Sequence, residues 1–112
     1  MIGLETAAAI AKTTLIDTGL IGWERFEELL SKNPAKISGL SGQGQKLVSG
    51  SVANIVFFDP RTSYTVDAST ESKSSNNPYV GMKLSGTVVH TMFRGTLTVK
   101  NSMIQEIGTK ND

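Results

Sequence analysis

The chain has 112 residues, no cysteine and a formal net charge of +1, and this length corresponds to at most one domain. A near-neutral charge argues against nucleic acid or an anionic membrane as the main partner. The lack of cysteine excludes a disulfide framework and a thiolate zinc site, and it agrees with the cytoplasmic location that we expect. No stretch approaches the roughly 18 apolar residues of a membrane span, and the N-terminus lacks the basic region of a signal peptide.

Helical patterns occupy the first forty residues. Apolar side chains recur at the spacing of one helical face and predict a first helix that ends at Gly19. Residues 22–31 predict a second helix, and Asn33-Pro34 predicts a short third turn that ends at Gly39 or Gly42. The residues expected to pack are Leu4, Ala7, Ala8, Ala11 and Leu15 in the first helix, Trp23, Phe26, Leu29 and Leu30 in the second, and Ala35, Ile37 and Leu40 in the third. The opposite, polar face of the first helix is expected to carry Lys12, Thr13 and Asp17.

Strand patterns dominate after about residue 41, where Gly, Ser and β-branched residues become frequent. A buried strand is predicted at 52–58 and a polar loop at 70–77. The other predicted strands span residues 64–67, 86–93, 96–100 and 103–107, and a frayed tail follows at 108–112. Helices first and strands afterwards indicate an α+β arrangement rather than alternating βαβ units.

Four segments carry a resemblance to a known family. Residues 44–60 form a glycine-marked entry into an apolar strand that stops at Asp-Pro, which is similar to the segment after the barrel in metal-dependent amidohydrolases. Residues 2–7 resemble the Gly-Leu-Glu-Thr-Ala entry into the last barrel helix of dihydroorotases, and residues 33–40 the Asn-Pro-Ala-Arg-Ile turn of amidohydrolases. Residues 72–81, with the strand and Arg94-Gly95 that follow, resemble the dihydroorotase C-terminal signature. Asn54 stands where the family usually has Asp, and Asn77 where Thr or Cys is common.

The resemblance implies a fold, a reaction and a cofactor. Members of the family have a (β/α)₈ barrel and a small β-sandwich built from both chain ends. Residues 1–40 would be the last barrel helix and its helical extension, and residues 41–112 the C-terminal part of the sandwich. The parent enzyme would use zinc to interconvert N-carbamoyl-aspartate and dihydroorotate. All the barrel strands that carry its catalytic groups would lie upstream of Met1, so we expect neither catalytic, substrate-binding nor metal-ligating residues in this chain.

Three side chains were weighed as site residues, and a structural role is favoured for each. His90 is the only histidine, and a catalytic zinc site takes about three protein ligands. Glu5 could support an active site indirectly, but we expect it to lie in the first helical turn and to stabilise the helix dipole. Lys73 lies in a polar segment and is expected to be solvated.

Three further features are also predicted to be structural. Asp59-Pro60 is expected to stop a strand and form a turn. The glycines of residues 39–50 match neither a phosphate-binding nor a dinucleotide-binding spacing. Trp23 and Phe26, three residues apart, are expected to pack as a helical pair rather than to form a ligand platform.

These patterns predict a catalytically silent, structural segment of a dihydroorotase, with no cofactor of its own. Its expected partner is the rest of such an enzyme. Alone, the chain is expected to associate with itself through open strand edges or to repack its helices on the sheet. Two alternatives remain open: a non-catalytic α+β binding or assembly module, and the same segment of a hydantoinase or allantoinase.

Overall fold

A computed structural model describes residues 1–106. The last residue of the strand predicted at 103–107 and the tail predicted at 108–112 lie outside the described residues. The described part contains a helical region followed by a four-stranded sheet. No helix within residues 1–106 has the length and apolar composition needed to cross a membrane.

Three short helices form the helical region. Helix α1 spans Ala7–Ala11 and continues as a π-helical turn at Lys12–Ile16; α2 spans Trp23–Glu27 and continues in the same way at Glu28–Lys32; α3 spans Asn33–Ser38. Gly19 and Gly39 follow with φ angles of 76° and 67°, a left-handed conformation that is least costly for glycine. The end predicted at Gly39 is confirmed, since Gly39 caps α3, whereas the first helical stretch ends at Ile16, three residues before Gly19.

The sheet is antiparallel, and its strands lie in chain order. Strand β1 spans Ile55–Thr65, β2 spans Lys83–Phe93, β3 spans Thr96–Lys100 and β4 spans Met103–Ile104. Arg94, with φ 49°, and Gly95 form the tight turn between β2 and β3. The strand predicted at 96–100 is confirmed with its bounds, and the one predicted at 86–93 begins three residues earlier.

Strand β1 corrects two predictions. The segments 52–58 and 64–67 were expected to be separate strands, with Asp59-Pro60 as a stop, but a single strand runs through both. Its register against β2 shifts between Asp59 and Ser63, so the Asp-Pro pair forms an irregularity within the strand. Asp59 accepts hydrogen bonds from the Arg61 N–H at 2.9 Å and the Thr62 hydroxyl at 2.8 Å, a local turn that the strand absorbs.

The Asp59 turn predicts a local pH dependence. Hydrogen bonds from the Arg61 N–H and then the Thr62 hydroxyl lower the pKa of Asp59 from its ordinary value of 3.8. The turn is therefore fully stabilised above pH 3.8 and loses this contribution as pH falls through the lower folded-state pKa. We expect the Arg61 amide resonance to move only below the ordinary aspartate range, and Asp59→Asn to remove the transition. A midpoint above 3.8 in an NMR titration would contradict this.

The core joins the helices to the sheet. Ala9 of α1, Leu84 of β2 and Val66, just after β1, are buried together at 3%, 1% and 6% exposure. Partly buried residues that pack against this cluster are Ile10, Tyr64 and Tyr79. The predicted face of the first helix is wrong in part, since Leu4 is exposed and precedes α1, Ala7 is exposed, and Lys12, expected on the polar face, is buried.

Several residues expected to pack are exposed. Phe26 is buried in α2, but Trp23, Leu29 and Leu30 keep 37–47% of their surface exposed. The segment 52–58 was predicted to be buried, whereas 48–58% of the surface of Val52, Val56 and Phe57 is exposed. The packing predicted for α3 is also wrong at Ile37 and Leu40, both of which are exposed. Much of the apolar surface of this chain is therefore uncovered.

Candidate functional site

A groove forms where the start of the chain meets the loop before β2. It has a volume of about 480 Å³ and is bounded by residues 1–6 on one side and by Thr70, Glu71, Ser72 and Asn77 on the other. These two segments overlap the regions, residues 2–7 and 72–81, that resemble the dihydroorotase helix entry and C-terminal signature. The fold thus places two sequence motifs, separated by about seventy residues, side by side.

Glu5 connects the two walls of this groove. Its Oε1 accepts a hydrogen bond from the Ser72 N–H at 3.2 Å. The predicted dipole role is wrong, because α1 begins at Ala7 and has no acidic residue in its first turn. Nearby, the Ile2 N–H donates to the Asn76 carbonyl at 2.9 Å, so a second hydrogen bond joins the same segments.

His90 lies within β2 as a structural residue. It pairs with Phe57 of β1, and the two rings meet edge to face with centroids 5.8 Å apart. Its Nδ1 accepts a hydrogen bond from the Asn101 N–H at 3.2 Å, in the turn between β3 and β4. One ring nitrogen of His90 is therefore hydrogen-bonded to the backbone, which supports the predicted structural role.

The other candidates from the sequence, Lys73, Trp23 and Phe26, do not line this groove. Lys73 is exposed in its loop, as predicted. Trp23 and Phe26 stack edge to face at 5.4 Å, and both rings also approach Phe58 of β1, at 6.3 and 6.5 Å. This confirms the predicted packing role and shows that the pair fastens α2 to the sheet.

The sequence pattern did not indicate an ion pair between the buried Lys12 and the exposed Asp17. The ammonium nitrogen of Lys12 lies 3.0 Å from the Asp17 carboxylate and 2.6 Å from the Ser85 hydroxyl. The side chain is only 8% exposed, and the contact with Ser85 links the π-helical turn to β2. Since buried lysines are rare unless paired, we assign this contact a structural role. We call such a contact, in which one side chain joins segments far apart in the chain, a clasp. A helical face assigned from apolar residues puts Lys12 on the polar side, but Lys12 lies three residues after the buried Ala9 and therefore shares its face.

Asn54 forms a second clasp that the sequence did not reveal. Its Nδ2 donates to the Gly42 carbonyl at 2.8 Å, and its Oδ1 accepts from the Arg94 N–H at 2.9 Å. The Gly95 N–H also donates to the Ala53 carbonyl at 2.9 Å. One amide side chain thus holds the linker before β1 and the turn after β2. Only a side chain with both a donor and an acceptor can make both bonds.

Replacing Asn54 by alanine should destabilise the fold by about 1–2 kcal/mol, because two hydrogen bonds of roughly 0.5–1.5 kcal/mol each are lost at a half-buried site. Asn54→Asp keeps the acceptor for the Arg94 N–H but loses the donor to Gly42, and we expect an intermediate effect. Urea unfolding of the three proteins measures this order. Equal stability of all three would show that the clasp contributes nothing.

The described residues do not fit a catalytic metal centre. Within residues 1–106, no three His, Asp or Glu side chains lie close enough together to hold a metal ion. The whole chain has one histidine and no cysteine, whereas a catalytic zinc site takes about three protein ligands. What this part of the chain offers is a groove, two clasps and exposed apolar surface.

Sequence comparison finds close similarity to dihydroorotases, although no family profile matches the chain. The dihydroorotase of Leifsonia xyli is 36% identical over 107 residues, which cover 95% of this chain and 24% of that protein. The dihydroorotase of Streptomyces coelicolor is 40% identical over 100 residues, which cover 88% of this chain and 23% of that protein. The chain spans about a quarter of the length of these curated relatives.

Structural comparison gives the same range of coverage. The L-hydantoinase (dihydropyrimidinase) of Arthrobacter aurescens superposes with a TM-score of 0.81 and 30% identity, over 93% of this chain and 23% of that one. A D-hydantoinase from Thermus sp. superposes with a TM-score of 0.84 over 94% of this chain and 23% of that one. At 22% identity, the second match shows similarity of fold alone.

Proposed function

Because this chain is a dihydroorotase-like segment of the amidohydrolase family, we propose that it is a structural part of a cyclic-amide hydrolase and that the catalytic groups lie elsewhere in that enzyme. The observation that carries the proposal is the 36–40% identity to dihydroorotases over 88–95% of this chain. The fold match at 30% identity supports the same family. Residues 1–40 would then close the barrel, and residues 41–112 would complete the sandwich.

The side chains that could ligate a metal support a structural, non-catalytic role for this segment. The family's zinc would polarise a ring carbonyl and activate water, but the residues present here do not fit that metal. His90, the only imidazole, is engaged by the Asn101 N–H and the Phe57 ring. No step of ring opening can therefore be assigned to this segment, and the metal ligands and the base would come from the remainder of the enzyme.

The isolated chain should show no turnover. Incubation with zinc and dihydroorotate, followed by assay for N-carbamoyl-aspartate, should give the buffer rate, because the chain supplies too few ligands for a catalytic site. Equilibrium dialysis should show no stoichiometric zinc. A complete dihydroorotase is the positive control. Stoichiometric metal binding with ring opening above background would overturn the proposal.

A second class of cyclic amide, besides dihydroorotate, is a candidate substrate of the complete enzyme. The superposed structures are hydantoinases, one of them 30% identical, and this observation favours a related cyclic amide such as a dihydropyrimidine. The identity to dihydroorotases is higher, at 36–40% over a similar share of the chain, which favours dihydroorotate. Comparing kcat/KM of the complete enzyme for dihydroorotate and for an uncharged dihydropyrimidine separates the two.

The partner we propose is the remainder of such an enzyme. It would cover apolar side chains that are 48–58% exposed here, such as Val52, Val56 and Phe57. Self-association of the free chain is the second proposal, since β1 is an outer strand of the sheet. Sedimentation at several concentrations measures it, and a concentration-independent monomer would argue against self-association.

A further inference from the structure

Two hydrogen bonds join residues 1–6 to the loop at 70–77, the two segments that border the groove. The Ser72 N–H donates to Glu5, and the Ile2 N–H donates to the Asn76 carbonyl. Between these two anchors, the side chains of residues 73–75 are exposed. The loop is therefore tied to the start of the chain at two points about four residues apart.

Gly3, Glu5 and Thr6 of the Gly-Leu-Glu-Thr segment each take part in this junction. At Gly3, a β-carbon would lie 3.6 Å from the Tyr79 ring, so the ring packs directly over the glycine. Thr6 is buried at 6% exposure, and its hydroxyl donates to the Gly3 carbonyl at 3.3 Å. Leu4 also borders the groove, with 95% of its surface exposed.

Tyr79 ties the junction to the core. It packs against the cluster of Ala9, Val66 and Leu84, and its N–H donates to the Asn77 side chain at 3.0 Å. The far end of the loop is therefore fixed by the most buried part of the molecule. By contrast, the near end depends on one exposed contact, the hydrogen bond from the Ser72 N–H to Glu5.

We propose that Glu5 is a positioning residue: its carboxylate fixes the 70–77 loop on residues 1–4 and thereby sets the path of the backbone that leads into them. The inference rests on the proposed function, in which these residues follow the last barrel strand. Active-site groups of such barrels lie at the carboxyl ends of the strands. Glu5 would then act on catalysis through the backbone, without touching substrate.

The first arm of the test examines the contact in the 112-residue chain, where no activity is needed. Glu5→Ala removes the acceptor, while Glu5→Gln keeps an oxygen acceptor without the charge. In ¹⁵N-resolved NMR spectra, we expect the Ser72 amide proton to move upfield in Glu5→Gln and further in Glu5→Ala. Glu71→Ala is the matched control, because Glu71 lines the same groove and makes no side-chain hydrogen bond within residues 1–106. A Ser72 resonance unchanged in Glu5→Ala would overturn the proposal.

The second arm measures kinetics in the complete enzyme. Because small displacements near an active site can lower rates by about 100-fold, we expect Glu5→Ala to lower kcat by roughly tenfold to 100-fold with little change in KM. Glu5→Gln should recover most of the rate, and Glu71→Ala should retain it. An unchanged kcat in an active Glu5→Ala enzyme would overturn the positioning role. Complete absence of cyclic-amide hydrolysis in the wild type would instead refute the proposed function, and the NMR arm would still decide whether the contact exists.

Discussion

Replacing Leu84 by alanine should destabilise the chain by about 2–5 kcal/mol, the usual range for deleting a fully buried leucine side chain. Leu84 is the most deeply buried large side chain described, at 1% exposure, and it joins Ala9 of α1 to Val66 beside β1. Since small domains have total stabilities of roughly 5–15 kcal/mol, the loss approaches the whole stability of a chain with so small a core.

Urea unfolding followed by circular dichroism measures the effect. Leu47→Ala is the matched control, because Leu47 is 77% exposed and the same atoms are removed without leaving a cavity. We expect the control to stay within about 0.5 kcal/mol of the wild type, as surface substitutions usually do. Equal losses in the two variants would show that the cluster around Leu84 is not the core.

Gly86→Ala should be the second most damaging substitution, costing roughly 2–4 kcal/mol from backbone strain and overpacking together. Gly86 lies within β2 with a φ of 116°, which side-chain-bearing residues rarely adopt. A β-carbon there would stand 2.5 Å from the tip of the Phe58 ring. That ring is confined in turn by Trp23 and Phe26, so it has little room to retreat.

Two control variants separate these causes. Gly81 also has a positive φ, of 84°, but a β-carbon there meets no atom within 4 Å, so Gly81→Ala reports the backbone cost alone. Replacing the Phe58 ring by the smaller leucine side chain in the Gly86→Ala background should recover part of the lost free energy of unfolding. A double-mutant cycle measures the coupling between the two positions. No coupling between positions 58 and 86 would exclude the steric explanation.

Local signals made the order and ends of many elements predictable. Gly39 ends α3 at a predicted position, Gly19 lies three residues after the end of the first helical stretch, and β3 has the predicted bounds. The helix-then-strand order is likewise that of the structure. These features depend on residues close together in the chain, which is why single-sequence patterns capture them.

Features that depend on distant contacts were not predictable. Nothing near Lys12 indicates that the Ser85 hydroxyl will accept a hydrogen bond from its ammonium group, and nothing near Asn54 indicates that the Arg94 N–H will donate to its side chain. The strand through Asp59-Pro60 was missed because a turn signal was read as a stop, whereas pairing with β2 resumes at Ser63. The face of the first helix was misplaced because it was assigned from apolar residues, whereas the residues that are buried are Ala9 and, three positions later, Lys12.

The groove is another feature that depends on contacts between distant parts of the chain. Its two walls were each singled out by resemblance, but Glu5 was assigned to a helix dipole and its bond to Ser72 was not foreseen. Sequence motifs identified the segments, while the fold showed that they are partners.

The most direct test of the account is a chimera in which this chain replaces the matching quarter of the Streptomyces coelicolor dihydroorotase, to which it is 40% identical over 100 residues. If this chain is a structural segment that carries no catalytic group, the chimera should fold and convert dihydroorotate at a rate within about tenfold of the parent. The parent enzyme truncated before the exchanged quarter should be inactive. A chimera that folds and binds its metal, yet fails to open the ring, would contradict the account.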